Sequence, residues 1–304
     1  MPRKFFRAFI LFCSFVLCFF LQISVALVQG QKLVVGKIIT IKTEPKTIIW
    51  LDEIRRGVTD DNGTLELKGI TAQNHTLRAR AKGFKETTVP LTMPIRNEIA
   101  VKLMQTTDEA ELLFQKAEEE RDKATTEEEK RAVVELYRRA LKLRPRFPAA
   151  SLGLARALSA LEDFEAALDA IKAARRGRPG YAEASAVEGR IYRSMSDDAN
   201  AADAFQRAIT EAHGFQPEGH TGLALIYGDN AQYEDAIAEL KTALVQLSDT
   251  EPVLYLKLAE YYEKIENYKD ALLAYEKFLE IAPKHAQAPA VRSMVEQLRR
   301  EKNQ

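Results

Sequence analysis

One phrase recurs along the last two thirds of the chain. Phe164-Glu165-Ala166-Ala167-Leu168, Tyr233-Glu234-Asp235-Ala236-Ile237 and Tyr268-Lys269-Asp270-Ala271-Leu272 are versions of it, and Asp198-Ala199-Asn200-Ala201-Ala202 is a degraded copy. The alanines Ala167, Ala201, Ala236 and Ala271 stand 34, 35 and 35 residues apart. Four residues after each comes Ile171, Phe205, Leu240 or Tyr275, and three further on Ala174, Ala208, Ala243 or Phe278. Upstream of each copy lies a second helical pattern: Leu154-Ala155 with Leu158, Gly189 with Tyr192, Leu223-Ala224 with Tyr227, and Leu258-Ala259 with Tyr262. Pro145, Pro179 and Pro283 fall where a helix must stop. Two antiparallel helices cannot bury their apolar faces alone, so each pair has to lean on the next. This repetition constrains the fold to a helical solenoid.

The pattern resembles the tetratricopeptide-repeat (TPR) family, whose repeats carry W-x2-L-G-x2-Y, A-x3-F and a closing proline. Four units are in register, and a more irregular one precedes them, from about Asp108 through Leu113-Phe114 and Ala117 to Val133, Tyr137, Ala140 and Pro145. Val291, Met294, Val295 and Leu298 recur at helical spacing after the last unit and predict a helix that caps the array. The resemblance implies a concave groove lined by the first helix of each pair, able to receive an extended segment or a helix of another protein. On those first helices Arg156, Arg190, Arg193, Glu260 and Glu263 are offset from the packing stripe and are the candidate partner-binding residues. A solvated helix face is the competing reading. The arginines suit a carboxylate-bearing ligand, because guanidinium pairs with carboxylate in a bidentate fork. The Lys/Asn pairs with which chaperone-binding members clamp a terminal carboxylate are missing, so that activity is not carried over.

From Lys32 to about Met104 the periodicity changes to two. Residues 33–41 and Thr47-Ile48-Ile49-Trp50-Leu51 read as strands; Leu65-Glu66-Leu67, residues 75–81, Val89-Pro90-Leu91 and residues 99–103 alternate likewise. Asp60-Asp61-Asn62-Gly63 is a tight turn, since Asn-Gly tolerates positive φ. Six or seven short strands at this spacing predict a sandwich. Thr59-Asp60-Asp61-Asn62-Gly63 followed by a strand, then His75-Thr76-Leu77 and Gly83-Phe84, resembles the carboxypeptidase regulatory-like domain and shades into PEGA-type envelope domains, with Asn74 where a glycine is usual. That resemblance implies a non-catalytic module, with carbohydrate contact as an inheritance from related sandwiches. Trp50, the only tryptophan, reads as a core residue, with a ligand-stacking platform as the alternative. The acidic turn reads as turn chemistry before it reads as a calcium loop, because no EF-hand spacing follows. Asn62-Gly63-Thr64 and Asn74-His75-Thr76 match glycosylation sequons.

Arg3, Lys4 and Arg7 precede an uncharged run from Ala8 to Val28, whose densest part is about as long as a secretory h-region. Ser24-Val25-Ala26 offers small residues for cleavage, with Val28-Gln29-Gly30 as a second candidate. Left uncleaved, the run is long enough to anchor the chain in the inner membrane. Either way the body is expected outside the cytoplasm, in the periplasm or cell envelope, and membrane contact would come only through this segment. Both cysteines, Cys13 and Cys18, lie inside it, so the body has neither disulfides nor a thiolate site.

Basic and acidic side chains balance at 44 each, which gives no field for nucleic acid. The balance is uneven along the chain: residues 31–105 carry 13 basic against 8 acidic groups, and residues 106–304 carry 28 against 36. A basic middle and an acidic tail are compatible with one docking on the other. The histidines His75, His213, His220 and His285 are scattered without a zinc spacing, and no nucleophile elbow, P-loop or dinucleotide fingerprint occurs. No catalytic residue, metal site or cofactor is therefore expected. The sequence predicts a multidomain chain, a small all-β sandwich followed by an all-α TPR superhelical solenoid. Residues 1–30 are a signal peptide or anchor, 31–105 the sandwich, 108–286 about five repeats and 287–304 a capping helix. The expected role is a protein-interaction scaffold, with a glycan- or cell-wall-binding protein as the alternative.

Overall fold

A computed structural model describes residues 36–302 apart from 53, 71, 248 and 249. The N-terminal address segment lies outside the described residues, as do the first residues of the strand expected over 33–41. Seven strands make the sandwich: β1 (Lys37–Lys42), β2 (Ile48–Leu51), β3 (Ile54–Val58), β4 (Thr64–Ile70), β5 (His75–Arg80), β6 (Thr87–Leu91) and β7 (Glu98–Ala100). They form two sheets, ordered β4-β1-β7 and β3-β2-β5-β6. Every pairing is antiparallel except that of β1 with β7. Alternation sends Ile39 and Ile41 of one sheet, and Ile49, Leu51, Leu77 and Ala79 of the other, into a shared core. The turn before β4 is held by Asp60, whose Oδ1 accepts hydrogen bonds from the backbone N–H of Asn62 (2.9 Å) and Thr64 (2.7 Å). Gly63 takes φ +73° there, and a Cβ on it would lie 1.9 Å from the Thr43 carbonyl oxygen.

Eleven helices follow among the described residues: α1 (Glu109–Arg121), α2 (Glu127–Leu143), α3 (Pro148–Ser159), α4 (Phe164–Gly177), α5 (Ala182–Ser194), α6 (Asp198–Glu211), α7 (Pro217–Asp229), α8 (Tyr233–Gln246), α9 (Pro252–Lys264), α10 (Tyr268–Ile281) and α11 (Ala288–Lys302). They stack as five pairs and a terminal helix. The repeat is stamped on the backbone as well as on the side chains. Glu162, Ser196, Ala231 and Glu266, spaced 34, 35 and 35 residues apart, all take φ between 57° and 61°. After each, the N–H of Asp163, Asp197, Gln232 or Asn267 bonds the carbonyl five residues back, at 2.8–3.0 Å. This left-handed closure ends the first helix of a pair and turns the chain into the second. Asp163, Asp197 and Asn267 then cap that second helix.

Small residues set the spacing between helices. The Phe205 ring of α6 is fully buried between α5 and α7, where a Cβ on Gly189 would stand 2.7 Å from it and one on Gly222 only 2.4 Å. At the end of the array Val291, Val295 and Leu298 of α11 close the core, whereas Met294 lies on the open side. No helix among the described residues is long and apolar enough to cross a membrane.

Candidate binding surfaces at the domain junction and along the groove

The four-stranded sheet has a second face, and it is not solvated. Register places Arg55, Trp50 and Arg78 side by side across β3, β2 and β5, with Ile48 beside Arg80 in the neighbouring row. These side chains point away from the sandwich core, yet Trp50, Arg78 and Arg80 are at most 6% exposed. The first helices of the solenoid cover them. Arg78 and Arg80 stack their guanidinium groups on Trp50, 4.2 and 4.8 Å from the ring centroid, and Arg80 also lies 4.4 Å from the Phe114 ring of α1.

Three carboxylates answer the arginines. Glu86, just before β6, accepts from Arg80 Nε (2.9 Å) and Nη2 (2.6 Å) and from Arg78 Nη1 (3.2 Å), with Arg178 of the solenoid 3.8 Å away. Glu183 of α5 accepts from Arg156 of α3 at 2.7 Å and from Arg78 at 3.5 Å. Glu118 of α1 accepts from Arg121 at 2.6 Å, from Arg80 at 3.4 Å and from the Tyr137 hydroxyl. Backbone contacts fix the register of docking. Gln115 of α1 accepts from the N–H of Gly83 (2.7 Å) and donates to the carbonyl of Phe84 (2.8 Å). At the far edge Ile54 joins Ala182, Ala212 and Phe215 in a small apolar cluster, and Arg56 stacks on Phe215.

Burial alone would raise the Glu183 carboxyl, but the pull of Arg156 and then Arg78 outweighs it and holds the group below the usual carboxylate range. The same balance, with Arg80 and Arg78 as the cations, lowers Glu86. A carboxyl depressed in the folded state stabilises that state fully above its unfolded pKa, and the contribution fades as pH falls through the folded value. The junction is therefore expected to hold through neutral pH and to loosen below about pH 4, the range of an unfolded Glu. Emission from Trp50 followed against pH checks this; a transition near pH 6 would contradict it.

Of the residues singled out from the sequence, Arg156 belongs to this network, Arg190 and Arg193 line the space beyond it, and Glu260 and Glu263 line neither of the two cavities described below. Arg156 faces the groove but its charge is spent on Glu183. Arg190 pairs with Glu218 of α7 at 2.6 Å and Arg193 with Asp229 at 2.9 Å, each bridging adjacent repeats. Glu260 pairs within its own helix with Lys257 at 2.7 Å. Glu263 is hydrogen-bonded to Tyr275, whose hydroxyl is pushed up to about 12 by burial and then by that carboxylate. Two cavities lie beside the arginines among these residues. One, of about 910 Å³, lies between the docked sheet and α1, α3, α5 and the start of α7. The other, of about 760 Å³, lies beyond the β domain, where Arg190 and Arg193 meet the carboxylates Asp198, Glu218, Asp229 and Glu251 around Phe205, Leu225 and Leu254. Sequence reasoning missed Arg78, Arg80, Glu86, Glu118 and Glu183; the only signal was the two-residue spacing that puts both arginines on one face of β5.

Tetratricopeptide-repeat family models match residues 130–191 and 221–286. Among solved structures, PilF of Pseudomonas aeruginosa is similar at TM-score 0.56 and 14% identity, over 64% of this chain and 86% of that one. A chain of the Cut9–Hcn1 hetero-tetramer of the APC/C is similar at TM-score 0.53 and 15% identity, over 64% of this chain; the likeness spans only 37% of that longer chain. At such identities the likeness shows the fold. No curated protein matches the sequence. The helical part of the chain is thus built of tetratricopeptide repeats, preceded by a sheet-rich domain.

Proposed function

We propose that this chain is an exported scaffold that holds a segment of a partner protein in the part of its groove the β domain leaves open. The observation that carries the reading is the 760 Å³ cavity between α5, α7 and α9, where the ion pairs Arg190–Glu218 and Arg193–Asp229 flank an apolar floor that includes Phe205, Leu225 and Leu254. Export rests on the N-terminal charge pattern, and the turn sequence from Thr59 to Gly63 supports kinship of the sandwich with carboxypeptidase regulatory-like modules. The glycan-binding reading is weakened, because Trp50 is 5% exposed, stacked with Arg78 and Arg80 beneath the solenoid, and offers a sugar no open face.

The test is cross-linking with mass spectrometry on envelope fractions, comparing the natural chain with Arg193→Glu. The partner's cross-links are expected to fall on α5, α7 and α9, and the charge reversal is expected to weaken capture about tenfold or more. Cross-links confined to the sandwich, or capture unchanged by the reversal, would count against the groove. Recovery of the chain only from cytoplasmic fractions would count against export.

A further inference from the structure

The larger cavity, at the domain junction, is a site in its own right. Seven cationic side chains line it against five carboxylates. All five carboxylates are already engaged: Glu118 and Asp122 by Arg121, Glu119 by Lys82, Glu183 by Arg156 and Glu218 by Arg190. Lys46 pairs with Asp61 and Arg80 with Glu86, both outside the lining. Arg55 has no ion pair among the described residues and stands at the exposed mouth of the space, so it keeps its charge for an incoming anion. The lining is also partly apolar. Ile48 and Ile54 from the sheet and Val187 from α5 offer a hydrocarbon body somewhere to sit. Cations around an apolar floor at a domain boundary are the usual make-up of a small-molecule pocket.

We infer that the cavity between the β domain and the first repeats binds an organic carboxylate, an acid group on Arg55 and its carbon skeleton against Ile48, Ile54 and Val187. Such a ligand touches both domains at once, so its binding tightens the junction. The inference does not depend on the partner segment proposed for the rest of the groove. The carboxylate can come from a free metabolite-sized acid or from acidic side chains of a peptide; the chemistry at Arg55 is the same.

Trp50 is the only tryptophan in the chain and lines this cavity, so its fluorescence reports occupancy without a label. The full chain is titrated with cyclohexane-1,2-dicarboxylate, with its neutral diamide, with inorganic phosphate and with a capped hexaglutamate peptide, at constant ionic strength. A saturable change in emission with the dicarboxylate, a thermal midpoint that rises with its concentration, and about tenfold weaker binding in Arg55→Gln are expected. Tighter binding of the peptide than of the free acid would assign the source to a protein segment, and the reverse to a free acid; either supports the site. No saturable change with either carboxylate, an equal response to the diamide or to phosphate, or unchanged affinity in Arg55→Gln would overturn it.

Discussion

Glu183→Ala is expected to cost about 3–5 kcal/mol, the penalty for removing one partner of a buried ion pair and leaving Arg156 uncompensated. Glu183 links α3, through Arg156, to the β domain, through Arg78. Its loss takes the paired carboxylate from Arg156 and breaks that link, while Arg78, stacked on Trp50 at a site 1% exposed, keeps Glu86. The damage should be local to the junction. Emission from Trp50 is expected to shift red as water reaches it, and the sandwich and the solenoid are expected to unfold in separate urea transitions where the natural chain shows coupling. Lys82→Met is the contrast. Its pair with Glu119 lies at the surface, with the lysine 81% exposed, and its removal is expected to change stability by less than about 1 kcal/mol. Equal effects from the two substitutions would mean that the buried network does not hold the domains together.

Gly222→Ala is expected to destabilise the array by about 3 kcal/mol, at the upper end for a single added methyl group. The new Cβ would meet Phe205 at 2.4 Å, and the ring cannot retreat because Gly189 closes the other side. Phe205→Leu alone leaves a cavity and is expected to cost about 1–3 kcal/mol. Combined, the two changes should be less harmful than their sum, since the smaller side chain makes room for the methyl group. Urea unfolding of the two single variants and the double variant checks this; strict additivity would show that the helices part around Phe205 without strain.

The repeats were legible because their physics is periodic. Ala167, Ala201, Ala236 and Ala271 are fully buried, and a position that must be small in every unit leaves a mark in the sequence. The left-handed turns left none, since Glu162, Ser196, Ala231 and Glu266 share no chemistry and only the backbone reveals them. The third strand was missed for a related reason. Ile54-Arg55-Arg56-Gly57-Val58 breaks alternation, and the reversal before it rests on Asp52 at φ 51°, whose carboxylate accepts from the Thr76 N–H at 2.8 Å. Docking was the hardest feature to foresee. A sheet face bearing Arg78 and Arg80 looks the same in sequence whether water or another domain covers it. The opposite net charges of the two regions allowed docking, but the residues that answer the arginines, Glu118 and Glu183, are ordinary glutamates until the superhelix brings them together. Arg156 illustrates the consequence: it points into the groove as its helical position implies, and the fold has already used its charge.

The central claim is that the sandwich seats on the first repeats and leaves the later groove open. A zero-length carbodiimide cross-link followed by mass spectrometry of the monomer tests it most directly. Lys82 and Glu119 stand 2.6 Å apart across the junction, and Lys42 and Glu98, 2.8 Å apart within the sandwich, provide the control. Both links are expected in the monomer. The control link without Lys82–Glu119 would contradict the seating of the two domains and, with it, the division of the groove.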